Sequence, residues 1–291
     1  MHALNRRGFT LIEILVVMGL LAVILSAVYQ SIGSTQRLTA TQVQRLHVQQ
    51  NTRAAALYLS YALRELDASD GDLKSASATS VRIRSMRWAG VLCTDPQATV
   101  GGVGFMLRNS LLFGVRAPNS ILDSILLFRD GDPTARTDDR WLVGGLQSVS
   151  NGNCPDGAPG TVIITAISAA SGGADSALVG ITAGAPIRGF QVEEISLWDN
   201  AGERWLARRS ADRGGSWTAM EMLVGPLTVN GLQFAYFDST GAAATSVTEV
   251  ASVGLVVRGR SPKPAHLSSG GIGYVHDSVI TRVTLRNNQG F

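Results

Sequence analysis

A single carboxylate, Glu13, stands near the front of the first apolar run of this chain, in "RRGFTLIEILVVMGLLAVILSAVY" (6–29), and no charge follows it until Arg37. Its chemistry depends on what happens four residues earlier. Cleavage between Gly8 and Phe9 would release a new α-amine at Phe9, one helical turn from Glu13. When two such helices stack with an axial offset, the carboxylate of one meets the amine of the other. An unpaired acid inside a transmembrane helix costs roughly 2.5–3.5 kcal/mol, so it usually marks function. Here the cost would be relieved only on assembly, which makes Glu13 a register device.

Few other groups offer chemistry. Cys93 in "GVLCTDP" and Cys154 in "NGNCPDG" are the only cysteines, both in loop-like settings beyond the apolar run. In an exported chain they favour a disulfide, closing a long loop and contributing roughly 2–4 kcal/mol. Two cysteines and four scattered histidines (His2, His47, His266, His276) do not make a metal site. "FRDGDPTARTDD" (128–139) gathers Asp130, Asp132, Asp138 and Asp139, but Ala135 and Trp141 stand where a calcium loop needs glycine and glutamate, so a solvated turn is the plainer reading. "ERWLARRSADRGGSW" (203–217) sets Arg204, Trp205, Arg208 and Arg209 close together. That interleaving suits stacking and phosphate contact with single-stranded nucleic acid. The competing reading is an antiparallel hairpin with an arginine-bearing face and Trp205 packed inside. No nucleophile elbow or dinucleotide fingerprint occurs, and neither catalytic residues nor a cofactor are expected.

The elements that must position Glu13 come next. Phe9–Val28 as a helix spans about 30 Å, the depth of a bilayer core. Arg6 and Arg7 predict that the N-terminal end stays inside. A secretory signal peptide would have a shorter apolar region and a small-residue cleavage site, which "ILSAVYQS" lacks. A plain signal anchor leaves Glu13 without a purpose. Residues 29–66 continue as a solvated helix, with Ala56, Leu59, Leu63 and Leu66 forming an apolar stripe and "DASDGDLK" ending it. Gly33-Ser34-Thr35 is a weak point in helix propensity.

After Asp72 the period changes to two, in Val81–Arg84, Leu232–Tyr236, Ala251–Val257 and Val279–Leu285. "TVIITAI" (161–167) is apolar on both faces, as in a covered strand. Residues 88–120 show weak strand signals and are expected as a long loop held by Cys93. Glycine is frequent (32 residues) and charge scarce (16%), which suits such a β- and loop-rich body. The net charge of +3 falls to +1 once Arg6 and Arg7 are removed, so it argues little for nucleic acid. The expected fold is α+β: a long N-terminal transmembrane and spine helix whose C-terminal half packs on an antiparallel β-rich domain, residues 73–291.

"RRGFTLIEILVV" resembles the class III signal of type IV pilins and type II secretion pseudopilins. The resemblance implies that residues 1–8 are a leader, that a membrane aspartyl peptidase cuts after Gly8 and methylates Phe9, and that Glu13 is the assembly carboxylate. Proline, common further along the apolar helix in major pilins, is absent before Pro96. A thinner similarity runs through "PIRGFQVEEISLW" (186–198), "LVGPLTVNGLQFAYFDSTG" (223–241), "VASVGLVVRGR" (250–260) and "VITRVTLRNN" (279–288), in the order of PilW-type minor pilins and J-type pseudopilins. It implies a non-catalytic minor pilin, anchored in the inner membrane with a periplasmic domain and then assembled with other minor and major pilins. The alternatives are a J-type pseudopilin of a secretion system and a tip module that binds a surface or DNA.

Overall fold

The computed structural model describes residues 10–131, 134, 139–167, 178–267 and 270–286. One helix, α1 (Leu11–Arg64), runs 54 residues, about 81 Å at the α-helical rise. It ends at Arg64, two residues short of the expected end, with Glu65 as its C-cap, yet Leu66 still packs in the core. Gly33-Ser34-Thr35 does not interrupt it. The hydroxyls of Ser34 and Thr35 both donate back to the Ser31 carbonyl (2.8 and 2.9 Å), which keeps those polar groups satisfied within the helix. Beyond Glu65, the Asp67 carboxylate accepts from Ser69 and Asp70, and Gly71 takes a positive φ (77°) to turn the chain.

Fifteen strands follow among the described residues. The first five are β1 (Leu73–Ala76), β2 (Ser80–Val91), β3 (Gln97–Thr99), β4 (Gly102–Arg108) and β5 (Phe113–Gly114). Next come β6 (Ser124–Arg129), β7 (Arg140–Asn153), β8 (Pro159–Ile167), β9 (Pro186–Asn200) and β10 (Glu203–Ser210). The last are β11 (Glu221–Phe237), β12 (Ser252–Arg260), β13 (Ala265–His266), β14 (Ile272–Gly273) and β15 (His276–Thr284). All named strand pairs are antiparallel.

The long strands β2 and β9 belong to two lobes. In the first, β1, the front of β2, the end of β9, then β10, β11, β12 and β15 form a sheet covered by α1. Its core joins Ala55, Leu59 and Leu63 of the helix to Val81, Ile195, Leu232, Val253 and Leu255. The period-two stripes read from the sequence are these inward faces. Arg84 breaks the alternation: it is buried, its guanidinium 3.4 Å from the Asp72 carboxylate and over the Phe190 ring.

The second lobe corrects the expected loop at 88–120. That stretch holds the end of β2, then β3, β4 and β5. Strands run β2–β9–β6–β7–β8–β4, and the bridge Leu92↔Leu107 with the Cys93 N–H to Met106 carbonyl bond (2.8 Å) brings β4 back against β2. The six strands therefore ring a separate core that includes Trp88, Phe105, Leu107, Ile125 and Ile163. The Trp88 ring lies on Gly189, where an added Cβ would fall 1.9 Å from it. Closure into a barrel removes the open edges that an isolated sheet would expose.

A polar chain ties the two lobes to the helix. The Tyr58 hydroxyl donates to Glu193 (2.9 Å), Arg87 bridges Glu193 (2.9 Å) and Gln191 (3.2 Å), and Arg116 bridges Gln191 (3.1 Å) and Asp123 (2.8 Å). The Trp88 indole N–H donates to the same Asp123 carboxylate (2.8 Å). Asp123 and Glu193 are buried, and each is met by arginine, which offsets the desolvation of their charges.

Candidate functional site

The site begins at the tip of α1. Thr10 is extended (φ −78°, ψ 149°) and caps the helix. Its N–H and its hydroxyl both donate to Glu13 Oε2 (2.9 and 3.0 Å), while the Glu13 N–H donates to Thr10 Oγ1 (3.3 Å). This is a reciprocal capping box, legible in the sequence as Thr-x-x-Glu at positions 10 and 13. The sequence alone points to an intermolecular purpose for Glu13. A signal anchor would also use it, as the local cap. Both bonds end on Oε2, and no donor among the described residues reaches Oε1. Gly8 and Phe9 lie outside the described residues.

Behind the cap, every Leu, Ile, Val and Met from Leu11 to Val28 is exposed. No described part of the globular body covers this half of the helix, and α1 is long and apolar enough there to cross a membrane. The fold anchors only the far half: Val48, Thr52, Ala55, Leu59 and Leu63 are buried. Three polar ties add to the packing. Thr41 Oγ1 reaches the His266 carbonyl (3.3 Å), Asn51 Nδ2 donates to the Gly225 carbonyl (2.7 Å), and Thr52 Oγ1 bonds the Asp277 carboxylate (2.9 Å). A carboxylate at one end of an uncovered apolar rod, held rigidly at the other end, can serve lateral association of helices.

The arginine–tryptophan segment is organised inward. β10 pairs antiparallel with β11 across the 211–220 turn, as the hairpin reading expects, and with β9 on its other side. Arg204 pairs with Asp199, Arg208 with Glu221 (2.8 Å) and more distantly Glu193 (3.8 Å), and Arg209 with Glu194 (2.7 Å). Arg209 and Arg82 also stack on Trp217 (4.7 and 5.1 Å). Trp205 is half-buried, its ring filling the space beside Gly225. The guanidiniums that would meet phosphates thus already face carboxylates. Beside them the Tyr58 phenol is pushed up to about 12, first by burial and then by the Glu193 charge.

Cys93 and Cys154 form the disulfide, with Cα atoms 5.8 Å apart, 61 residues apart in sequence. It joins the end of β2 to the turn after β7, at the seam where the barrel closes. Of the four aspartates at 130–139, Asp132 and Asp138 lie outside the described residues. Among the described residues no group of three or more His, Cys, Asp or Glu is placed to hold a metal.

Residues 4–29 match the family described as the prokaryotic N-terminal methylation motif. No curated protein and no solved structure matches the chain. The motif and the exposed apolar helix behind it support a type IV pilin-like protein or pseudopilin, a group of structural subunits. The class III signal implies processing by prepilin peptidase and assembly with other pilins.

Proposed function

We propose that this chain is a non-catalytic minor subunit of a type IV pilus, placed at or near the tip. The precursor inserts with residues 1–8 inside and the β body on the periplasmic side. It is cut after Gly8, methylated at Phe9, and drawn from the bilayer into a bundle of like helices. There Glu13 keeps Thr10 on Oε2 and offers Oε1 to a neighbour's amine. Each charge then loses part of its desolvation cost only in the assembled state. Residues 9–28 exchange lipid for helix contacts, and 29–64 carry the body outward.

The observation that carries this reading is the exposed, acid-bearing front half of α1 under a methylation motif. The second lobe favours a terminal position, since a wall of identical subunits would have to accommodate a barrel at every step.

Glu13→Val, Glu13→Gln and Thr10→Val separate the two roles of the carboxylate. Thr10→Val weakens the cap but keeps the charge, and should be processed and recruited by wild-type partners. Both Glu13 variants should be processed yet fail in recruitment. Wild-type recruitment of Glu13→Val would remove the pairing role.

A further inference from the structure

The far half of α1 carries a second exposed surface, on the side roughly opposite the β body. Leu46, Gln50, Arg53, Leu57, Tyr61 and Arg64 follow one another at intervals of four, three, four, four and three residues, so they share one stripe about 27 Å long. All six are exposed, Leu57 at 59% and Tyr61 at 75%. The buried positions Val48, Thr52, Ala55, Leu59 and Leu63 occupy the other side. An a/d-type spacing with three large apolar or aromatic residues is what a helix presents to another helix. Two of its six positions, however, are arginine. No carboxylate among the described residues forms an ion pair with Arg53 or Arg64.

The identity of the occupant follows from charge. From Ile14 to Arg64 the helix contains no Asp or Glu, while Arg37, Arg45, Arg53 and Arg64 are all exposed. A second copy of this chain, slid along the stripe, therefore presents no carboxylate to Arg53 or Arg64 at any offset within that span. Glu65, just past the end, lies off the stripe's mean direction by nearly a right angle. Desolvating two guanidiniums against apolar or like-charged neighbours is unfavourable, whereas a carboxylate on the facing helix satisfies each. We infer that the Leu46–Arg64 stripe docks the helix of a different subunit, one bearing carboxylates opposite Arg53 and Arg64, and that it selects against a second copy of this chain. The selection combines an attraction with a built-in repulsion. This rests on reading the chain as a filament subunit, and it names the chemistry of the neighbour.

The test uses the full chain in its native host. Both native cysteines are paired, so Leu57→Cys adds one thiol, which is labelled with a maleimide-benzophenone in isolated filaments and irradiated. The expected capture is a different subunit, at a helical site with Asp or Glu within one turn of the captured residue. Arg53→Glu with Arg64→Glu should lower that yield about tenfold, the double lysine variant should keep most of it, and mixing the reversed chain with the unreversed one should raise self-capture. Both arginines are exposed and, among the described residues, pair with no carboxylate, so the reversal leaves the fold intact, which circular dichroism checks. Predominant self-capture by the unreversed chain, capture at a helix without a nearby carboxylate, or no capture each overturn the inference. The N-terminus of the same sample separates the two claims. With Phe9 as first residue, only the charge selection falls; with Met1, the filament reading itself fails.

Discussion

Gly259 sets how closely α1 lies on its sheet, and a single methyl there tests that packing. It sits on β12 beneath the buried Thr52, and a Cβ added at 259 would fall 2.7 Å from Thr52 Cγ2 and 3.3 Å from Val48 Cγ1. Ordinary carbon contacts lie near 3.5–4.0 Å, so the clash with Thr52 is about 1 Å. Thr52 is poorly able to yield. It is β-branched within a helix, and its hydroxyl holds the Asp277 carboxylate at 2.9 Å. Either the helix lifts or the Thr52–Asp277 bond breaks, at a cost of about 1–3 kcal/mol. Thr52→Ser removes the offending methyl and keeps the hydroxyl. Chemical unfolding of the detergent-solubilised full chain should show Gly259→Ala destabilised by that amount. The double variant Gly259→Ala, Thr52→Ser should lose at least about 1 kcal/mol less than the sum of the singles. Additivity within about 0.5 kcal/mol would refute the close-approach argument.

Two further outcomes follow from the same geometry. Replacing Cys93 and Cys154 by serine releases the closure of a 61-residue separation, worth about 4 kcal/mol on a chain-entropy estimate. Hydrogen exchange should then rise in β4 and β8 before β11 and β12, and uniform loosening would argue against a separate second core. The raised phenol of Tyr58 keeps its proton longer in the folded chain than in the unfolded one. Its contribution is therefore full below about pH 10, where the unfolded phenol titrates, and is lost as pH rises to about 12. Alkaline unfolding should be less steep in Tyr58→Phe, and equal slopes would contradict the placement of that hydroxyl on Glu193.

The parts of the fold legible in the sequence are those that repeat locally. Leu59 and Leu63 on one helical stripe, and Val253, Leu255 and Val257 on one strand face, advertise their burial through spacing alone. The barrel was not legible because β2 and β9 meet across about a hundred residues, and the bridge of Leu92 to Leu107 that closes it carries no local periodicity. The glycines of "VGGVGF" hide the Val103, Phe105, Leu107 alternation that fills its core. Arg84 looked like an outward residue because its partner Asp72 comes from the turn that ends the helix, a pairing only the folded chain supplies. At the site, the apolar helix and Glu13 were visible at once. The capping box is equally visible as Thr10 and Glu13, a local role beside the intermolecular one. The arginines of 204–209 left nucleic-acid contact open beside the hairpin reading because their carboxylate partners sit on neighbouring strands.

The most direct measurement is the mass of the N-terminal peptide of the chain isolated from its native host. An N-methylated Phe9 as the first residue is the predicted result. A peptide still beginning at Met1 would mean that no amine is ever made available to Glu13, leaving that carboxylate as a helix cap on a tethered domain.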